Sequence, residues 1–282
     1  MTQKSDPVTV PRVVEAPARG ERLAVVTAYD ASQGRLADAA GVDIVLVGDS
    51  LAMVVLGHAD TLSVTMEEML HHVKAARRGV SRALLVADMP YGSFHLGRER
   101  SVENALRFVK EGGAQAVKIE GRRPSLVEAI VAAEVPVMAH LGLTPQSIHR
   151  LGGYRVQGRG DAARRELLDA ALELESAGAF SLVLECVPAE LAAEVTERLS
   201  IPTIGIGAGP SCDGQVLVYH DLLGLEDRMA PRFVRRYADQ AEETRRALAR
   251  FVSDVREGRF PSHEESYADP TRSDPGVRKL YG

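Results

Sequence analysis

The chain has 282 residues, 45% of them hydrophobic and 26% charged, and its 34 Lys plus Arg against 39 Asp plus Glu give a net charge of -5. That length supports one large α/β barrel or two ordinary domains, with roughly three quarters of the surface buried on folding. The acidic balance excludes the basic excess that nucleic-acid backbones demand, and the ordinary apolar content excludes wholesale disorder.

Residues 1–20 are polar and proline-bearing, without the apolar core of a signal peptide. The longest purely apolar stretch, 51–56, is too short to cross a bilayer. Cys186 and Cys212 sit in patterned α/β segments, which suits a reducing compartment. The expectation is a cytoplasmic protein with neither membrane nor nucleic acid as a partner.

Eight short apolar runs rich in β-branched residues follow: 23–28, 44–47, 83–87, 116–119, 137–139, 181–184, 203–206 and 215–219. Near-continuous apolarity predicts strands buried on both faces, as in a parallel sheet. Between them, 65–78, 101–111, 161–177 and 188–199 carry helical periodicity, and 233–255 reads as a terminal helix. Thr65 with Glu68 forms a capping-box pattern and Ser101 is placed to cap the next helix. Gly41, Gly113 and Gly178 stand where a left-handed residue would end a helix.

Alternating strands and helices predict an α/β (β/α)₈ TIM barrel of parallel strands, with an open doubly wound sheet as the competing architecture. The barrel domain spans 1–282, with an N-terminal arm over about 1–20, a C-terminal helix, and a tail over about 259–282.

In such a barrel the C-terminal strand ends converge on one face, and those positions read Asp49-Ser50, Asp88, Lys118, Glu120, His140 and Glu185. One acid after a strand is often only a cap or a turn, but four in the same register are harder to explain that way. Lys118 and Glu120 are two apart, so the strand period sends both to one side. A lysine in so apolar a run needs carboxylate partners. Acids from three strands can make an incomplete hard-cation site of the kind Mg²⁺ occupies, while the His and Cys spacings do not suit zinc. His71-His72 are adjacent in a helix and read as packing or surface residues.

The run 205–210, Gly-Ile-Gly-Ala-Gly-Pro, reads equally as a phosphate cradle or as glycines permitting close packing. The glycine-rich stretch 141–160 reads equally as a lid or a plain connection.

Several long strings resemble the ketopantoate hydroxymethyltransferase family. They are Thr27-Ala28-Tyr29-Asp30, Val47-Gly48-Asp49-Ser50, Val86-Ala87-Asp88-Met89-Pro90, 114–118 (AQAVK), 138–147 (MAHLGLTPQS), 151–159 (LGGYRVQGR), 183–190 (VLECVPAE) and 202–209 (PTIGIGAG). The likeness runs from about residue 23 to 267. It implies a (β/α)₈ barrel that moves a hydroxymethyl group from 5,10-methylenetetrahydrofolate to 3-methyl-2-oxobutanoate. The product is 2-dehydropantoate, for pantothenate synthesis, and the reaction passes through an enolate stabilised by Mg²⁺.

Matched position by position, the resemblance implies Asp49, Asp88 and Glu120 as the Mg²⁺ site and Asp49, Ser50, Asp88 and Lys118 as substrate-binding residues. It implies Glu185 as the proton acceptor; His140, from its strand-end position at the same mouth, is expected as a second-tier residue of the substrate pocket. It also implies a homo-oligomer, often a decamer. Ala52 replaces an expected glycine, and Arg122-Arg123 stand where small or variable residues are common. Two other readings compete: a Mg²⁺-dependent lyase or mutase acting on another α-keto acid, and a non-catalytic folate- or metabolite-binding barrel.

Overall fold

The computed structural model describes residues 6–226 and 231–267. Its eight strands are β1 Leu23–Thr27, β2 Ile44–Val47, β3 Leu84–Asp88, β4 Ala116–Glu120, β5 Val137–Gly142, β6 Ser181–Glu185, β7 Thr203–Ile206 and β8 Gly214–Leu217. They pair in sequence order, all parallel, and close into a barrel through β1 and β8. Closure removes the open-sheet alternative. It depends on Gly214, which pairs with Leu23, because a Cβ there would lie 2.6 Å from the Leu23 carbonyl oxygen.

The helices, in chain order, are α1 Val10–Glu15, α2 Ala31–Ala40, α3 Leu51–Val54, α4 Met66–Arg77, α5 Arg98–Lys110 and α6 Pro124–Ala132. They continue with α7 Ile148–Leu151, α8 Asp161–Ser176, α9 Ala189–Arg198, α10 Tyr219–Leu223 and α11 Gln240–Arg256. The Thr65 capping box forms both of its reciprocal bonds at the start of α4. Gly41, Gly113 and Gly178 all take positive φ, as their positions after helices require.

Two helix boundaries differ from the sequence pattern. α5 starts at Arg98, and Ser101, expected as its cap, is buried inside it with its hydroxyl donating back to the Gly97 carbonyl. The terminal helix begins at Gln240, not at 233. The preceding segment is held out of it because Phe233 packs on Gly207 and the Tyr237 amide donates to the Leu222 carbonyl.

Strand alternation separates two apolar layers. Val26, Val45, Leu85, Val117, Ala139 and Leu182 face outward into the helices. Val25, Leu46, Val86, Ala116, Met138 and Val183 face the lumen. The expected N-terminal arm does more than trail along the surface, since Val8, Val13 and Ala16 are fully buried and complete the lumen layer. Residues 1–5, and 268–282 of the expected tail, lie outside the described residues.

Below the barrel, Asp38 at the end of α2 accepts the amides of Ser81, Arg82 and Ala83 and the Ser81 hydroxyl, which fixes the approach to β3. Partial burial works against its charge, but these donors outweigh it and hold the carboxyl below its ordinary pKa. Asp38→Ala strands three amides and is expected to cost about 1–3 kcal/mol in urea unfolding near neutral pH. A depressed folded-state pKa means the charged form's contribution is present above the unfolded value of about 3.9 and lost as pH falls through the folded value. The gap between wild type and Asp38→Asn should therefore close in acid, and a gap independent of pH would contradict the role of the charge.

Candidate active site

Chemistry enters the lumen where its apolar side chains stop. Counting two residues onward from Val86, Ala116, Met138 and Val183, the same inward-facing rows deliver Asp88, then Lys118 with Glu120, then His140, then Glu185. Register puts neighbours side by side, with Asp88 opposite Lys118 and Glu120 opposite His140. Asp49 arrives by a turn after β2. Gly48 allows that turn, since a Cβ there would come within 2.8 Å of Ser50 Oγ.

Asp49, Asp88, Lys118, Glu120 and His140 are all buried. Lys118 Nζ donates to both oxygens of Asp88 at 2.7 Å and lies 3.7 Å from Glu120 Oε1. The Asp49 amide donates to Asp88 Oδ2 at 3.3 Å. Burial opposes the Lys118 charge, but Asp88, Glu120 and Asp49 together hold the ammonium protonated well above its ordinary range. The acids divide. Burial and the charges of Asp88 and Glu120 lift the Asp49 carboxyl well above its usual pKa, and burial lifts Asp88 despite Lys118. Glu120 is equally buried, yet His140 and Lys118 hold it below its usual value.

His140 joins the two halves of the site. Its Nδ1 is 3.5 Å from Glu120 Oε1 and its Nε2 is 3.3 Å from Glu185 Oε2, ion-pair distances without hydrogen-bond alignment. Burial and the Lys118 charge push its pKa down, but the two flanking carboxylates prevail and raise it to about 9. His140 is therefore held in its cationic form facing both Glu120 and Glu185. Glu185 is the exposed member, with 16% of its side chain open to solvent.

Ser50 Oγ is hydrogen-bonded to the buried Tyr29 hydroxyl at 2.9 Å. Cys186, next to Glu185, takes φ 48°, and the peptide is held there by its amide on the Ile206 carbonyl and its carbonyl on the Gln157 amide. Burial, then the Glu185 charge, pushes its thiol up to about 11, so it is not a thiolate nucleophile at neutral pH.

Gln146 is the residue that sequence reasoning missed. Buried in a 3-10 turn at Pro145–Ser147, its amide nitrogen Nε2 donates to Asp49 Oδ2 and to the Met89 carbonyl, and its backbone N–H donates to Glu120 Oε2. It ties acids from two strands together. The only signal was its place in the string 138–147, which no rule of periodicity singles out.

These groups open into a cavity of about 410 Å³ whose other walls are Val183, Ile206, Val216, Val218 and Phe233, with Tyr154 and Arg155 at the rim. Apolar side chains from β6, β7 and β8 thus line the cavity alongside the ionisable groups. The glycines of 205–210 serve close packing. Added Cβ atoms would meet Cys212 Sγ at Gly205, the Phe233 ring at Gly207 and Ala189 at Gly209. The stretch 141–160 is partly structural, with Leu141 and Gly142 finishing β5, while Tyr154 and Val156 stay exposed. His71 is exposed and His72 is half-buried with Nδ1 2.7 Å from the Tyr29 carbonyl oxygen, away from the acids.

Among the described residues, no three His, Cys, Asp or Glu side chains stand ready-made around a metal position. The Lys118 ammonium contacts both Asp88 and Glu120 and separates them. The donor set nonetheless fits a partly ligated hard cation. The carboxylates of Asp49 and Asp88 are both buried and each is raised in pKa by burial, and among the described residues no Lys, Arg or His stands within ion-pair distance of Asp49.

The chain matches the sequence profile of ketopantoate hydroxymethyltransferase over residues 7–263. It is 55% identical over 269 residues to the 3-methyl-2-oxobutanoate hydroxymethyltransferase of Moorella thermoacetica, covering 95% of this chain and all of that one. It is 53% identical to the enzyme of that name from Carboxydothermus hydrogenoformans, covering 93% and 96% of the two chains. Among solved structures, phosphoenolpyruvate phosphomutase from Streptomyces platensis subsp. rosaceus superposes with a TM-score of 0.59 at 16% identity, over 93% of this chain and 91% of that one. Phosphonopyruvate hydrolase in complex with oxalate and Mg²⁺ gives 0.58 at 14%, over 91% and 93%. These two likenesses concern the fold alone.

Proposed function

Because the chain belongs to the ketopantoate hydroxymethyltransferase family, we propose that its acid-lined barrel mouth converts 3-methyl-2-oxobutanoate to 2-dehydropantoate with 5,10-methylenetetrahydrofolate as one-carbon donor. The observation that carries this is one buried ammonium paired with the buried carboxylates of Asp88 and Glu120, with Asp49 buried nearby and a fourth, partly exposed carboxylate at Glu185. The substrate matches the lining of the cavity, with two oxygen functions for its ionisable groups and an isopropyl group for Val183, Ile206 and Val216.

Asp49 and Asp88, with Glu120 behind them, are the residues that would hold Mg²⁺. When bound, the cation supplies Lewis-acid polarisation of the keto group and so lowers the cost of removing the neighbouring C3 proton. A similarly folded barrel has been described with oxalate and Mg²⁺, a ligand that presents comparable oxygens.

Lys118 adds a fixed positive charge for the substrate carboxylate, and Ser50, oriented by Tyr29, offers a hydroxyl. Glu185 takes the C3 proton. The cationic His140 at 3.3 Å keeps its carboxylate aimed inward, which is positioning and not transfer. C3 then attacks the methylene carbon of the donor's iminium form, and water replaces the donor nitrogen on that carbon, leaving the hydroxymethyl group and tetrahydrofolate. The protonated Cys186 thiol counts against a lyase reading that depends on a thiolate.

Assembly is the second part of the proposal. α11 is 17 residues long with none buried, and Leu248, Phe251, Val252 and Val255 form an exposed stripe at helical spacing. A helix of that length is marginal without a packing partner. The stripe fits contact between copies in the homodecamer that the resemblance implies.

Two outcomes are expected. In deuterated buffer with Mg²⁺ and keto acid but no folate, C3-proton exchange should fall about 10²–10⁴-fold in Glu185→Gln. Undiminished exchange would remove Glu185 from the base role. In light scattering coupled to gel filtration, Phe251→Glu with Val255→Glu should shift a decamer to smaller species, and an unchanged mass would remove α11 from the contact.

A further inference from the structure

A second cavity, of about 1030 Å³, opens on the same face of the barrel and shares Glu120 with the acid pocket. Its walls carry two features that the hydroxymethyl chemistry leaves unused. One is flat and aromatic. Tyr91 is 48% exposed, its ring 4.9 Å from that of His95, which in turn lies 4.3 Å from the buried Phe94.

The other feature is cationic. Arg123 and Arg150 both line the cavity, and among the described residues neither has a carboxylate within ion-pair distance. Arg122 beside them is different, because it grips Glu173 with two nitrogens, and Glu166 completes that acidic side of the wall. Arg123 is half-buried over the Phe94 ring at 5.2 Å, and its Nε donates to the Glu120 carbonyl at 3.3 Å. Burial and the Arg150 charge both work against its own charge. Two like charges face one cavity, and among the described residues no carboxylate pairs with either. A ligand that brings two carboxylates relieves both, and charge-assisted bonds to guanidinium favour that class.

We propose that this cavity receives the aminobenzoyl-glutamate end of the one-carbon donor, with the aromatic ring on Tyr91 and His95 and the glutamate carboxylates on Arg123 and Arg150. The reactive methylene then points across the Glu120 edge into the acid pocket. This deepens the reading above and rests on it. It also gives a task to Arg123, one of the two arginines that depart from the family's usual pattern after Gly121. Phosphate alone would satisfy the guanidiniums but leave the aromatic wall unused.

The experiment compares the full-length enzyme with Arg123→Gln/Arg150→Gln, using two donors: methylenetetrahydrofolate and methylenetetrahydropteroate, which lacks the glutamate. The double variant should raise the KM for methylenetetrahydrofolate about tenfold or more, with kcat and the keto acid KM within about twofold. For the pteroate donor the two proteins should be alike, and Arg150→Lys should recover part of the loss. Donor KM values unmoved by the variant, or moved equally for both donors, would overturn the inference. Folate-independent C3-proton exchange keeps the tests apart. Exchange and turnover both intact in wild type, with equal KM for the two donors, removes this cavity while the proposed function stands. Wild type that cannot use either donor removes both.

Discussion

The candidate active face depends on one arrangement of charge, the Lys118 ammonium buried against Asp88 and Glu120 with Asp49 close by. A buried lysine without carboxylates would lose its proton, and buried carboxylates without a cation would gain one. Here the acids hold the Lys118 ammonium protonated and Lys118 with His140 holds Glu120 charged, but the charges do not balance. Three acids exceed one ammonium even with His140 counted, because His140 is shared with Glu185. The barrel mouth thus carries more carboxylates than cations among largely buried side chains, and the Asp49 carboxyl shows it most. Such a site gains stability from a bound cation and from a substrate that brings hydrogen-bonding oxygens.

The barrel makes this possible through alternation. The lumen rows of β3, β4, β5 and β6 are apolar at the bottom, where the N-terminal segment closes the barrel, and become ionisable only towards their C-terminal ends. The same rows that build the core therefore aim the chemistry, so a one-residue slip of β4 would send Lys118 and Glu120 out among the helices. Cross-ties then lock the layer. Gln146 spans Asp49 and Glu120, and His140 spans Glu120 and Glu185.

Much of this was legible in the residue order, for definable reasons. Buried parallel strands are nearly pure runs of apolar residues, so 44–47 and 203–206 coincide with β2 and β7 as observed. The acids were legible because a strand's last inward position is a fixed count from its apolar ones. Gln146 was not, because it works from a turn whose path depends on β5 running on to Gly142. Ser101 misled because a hydroxyl near a helix start can cap it or bond back inside it, and burial under α5 decides between them. Phe233 misled because its helical spacing is overruled by packing onto Gly207, over 20 residues away in the chain. The unpaired state of Arg123 and Arg150 is a property of distances, which no linear pattern carries.

The central claim is that the excess charge around Asp49 and Asp88 is there to share a divalent cation with a keto acid. Calorimetric titration of Mg²⁺ into the protein, with and without saturating 3-methyl-2-oxobutanoate, addresses it directly. The account predicts weak binding alone, binding at least about tenfold tighter with the keto acid present, and loss of that coupling in Asp49→Asn. Keto acid affinity that is the same in Mg²⁺ and in EDTA would contradict it.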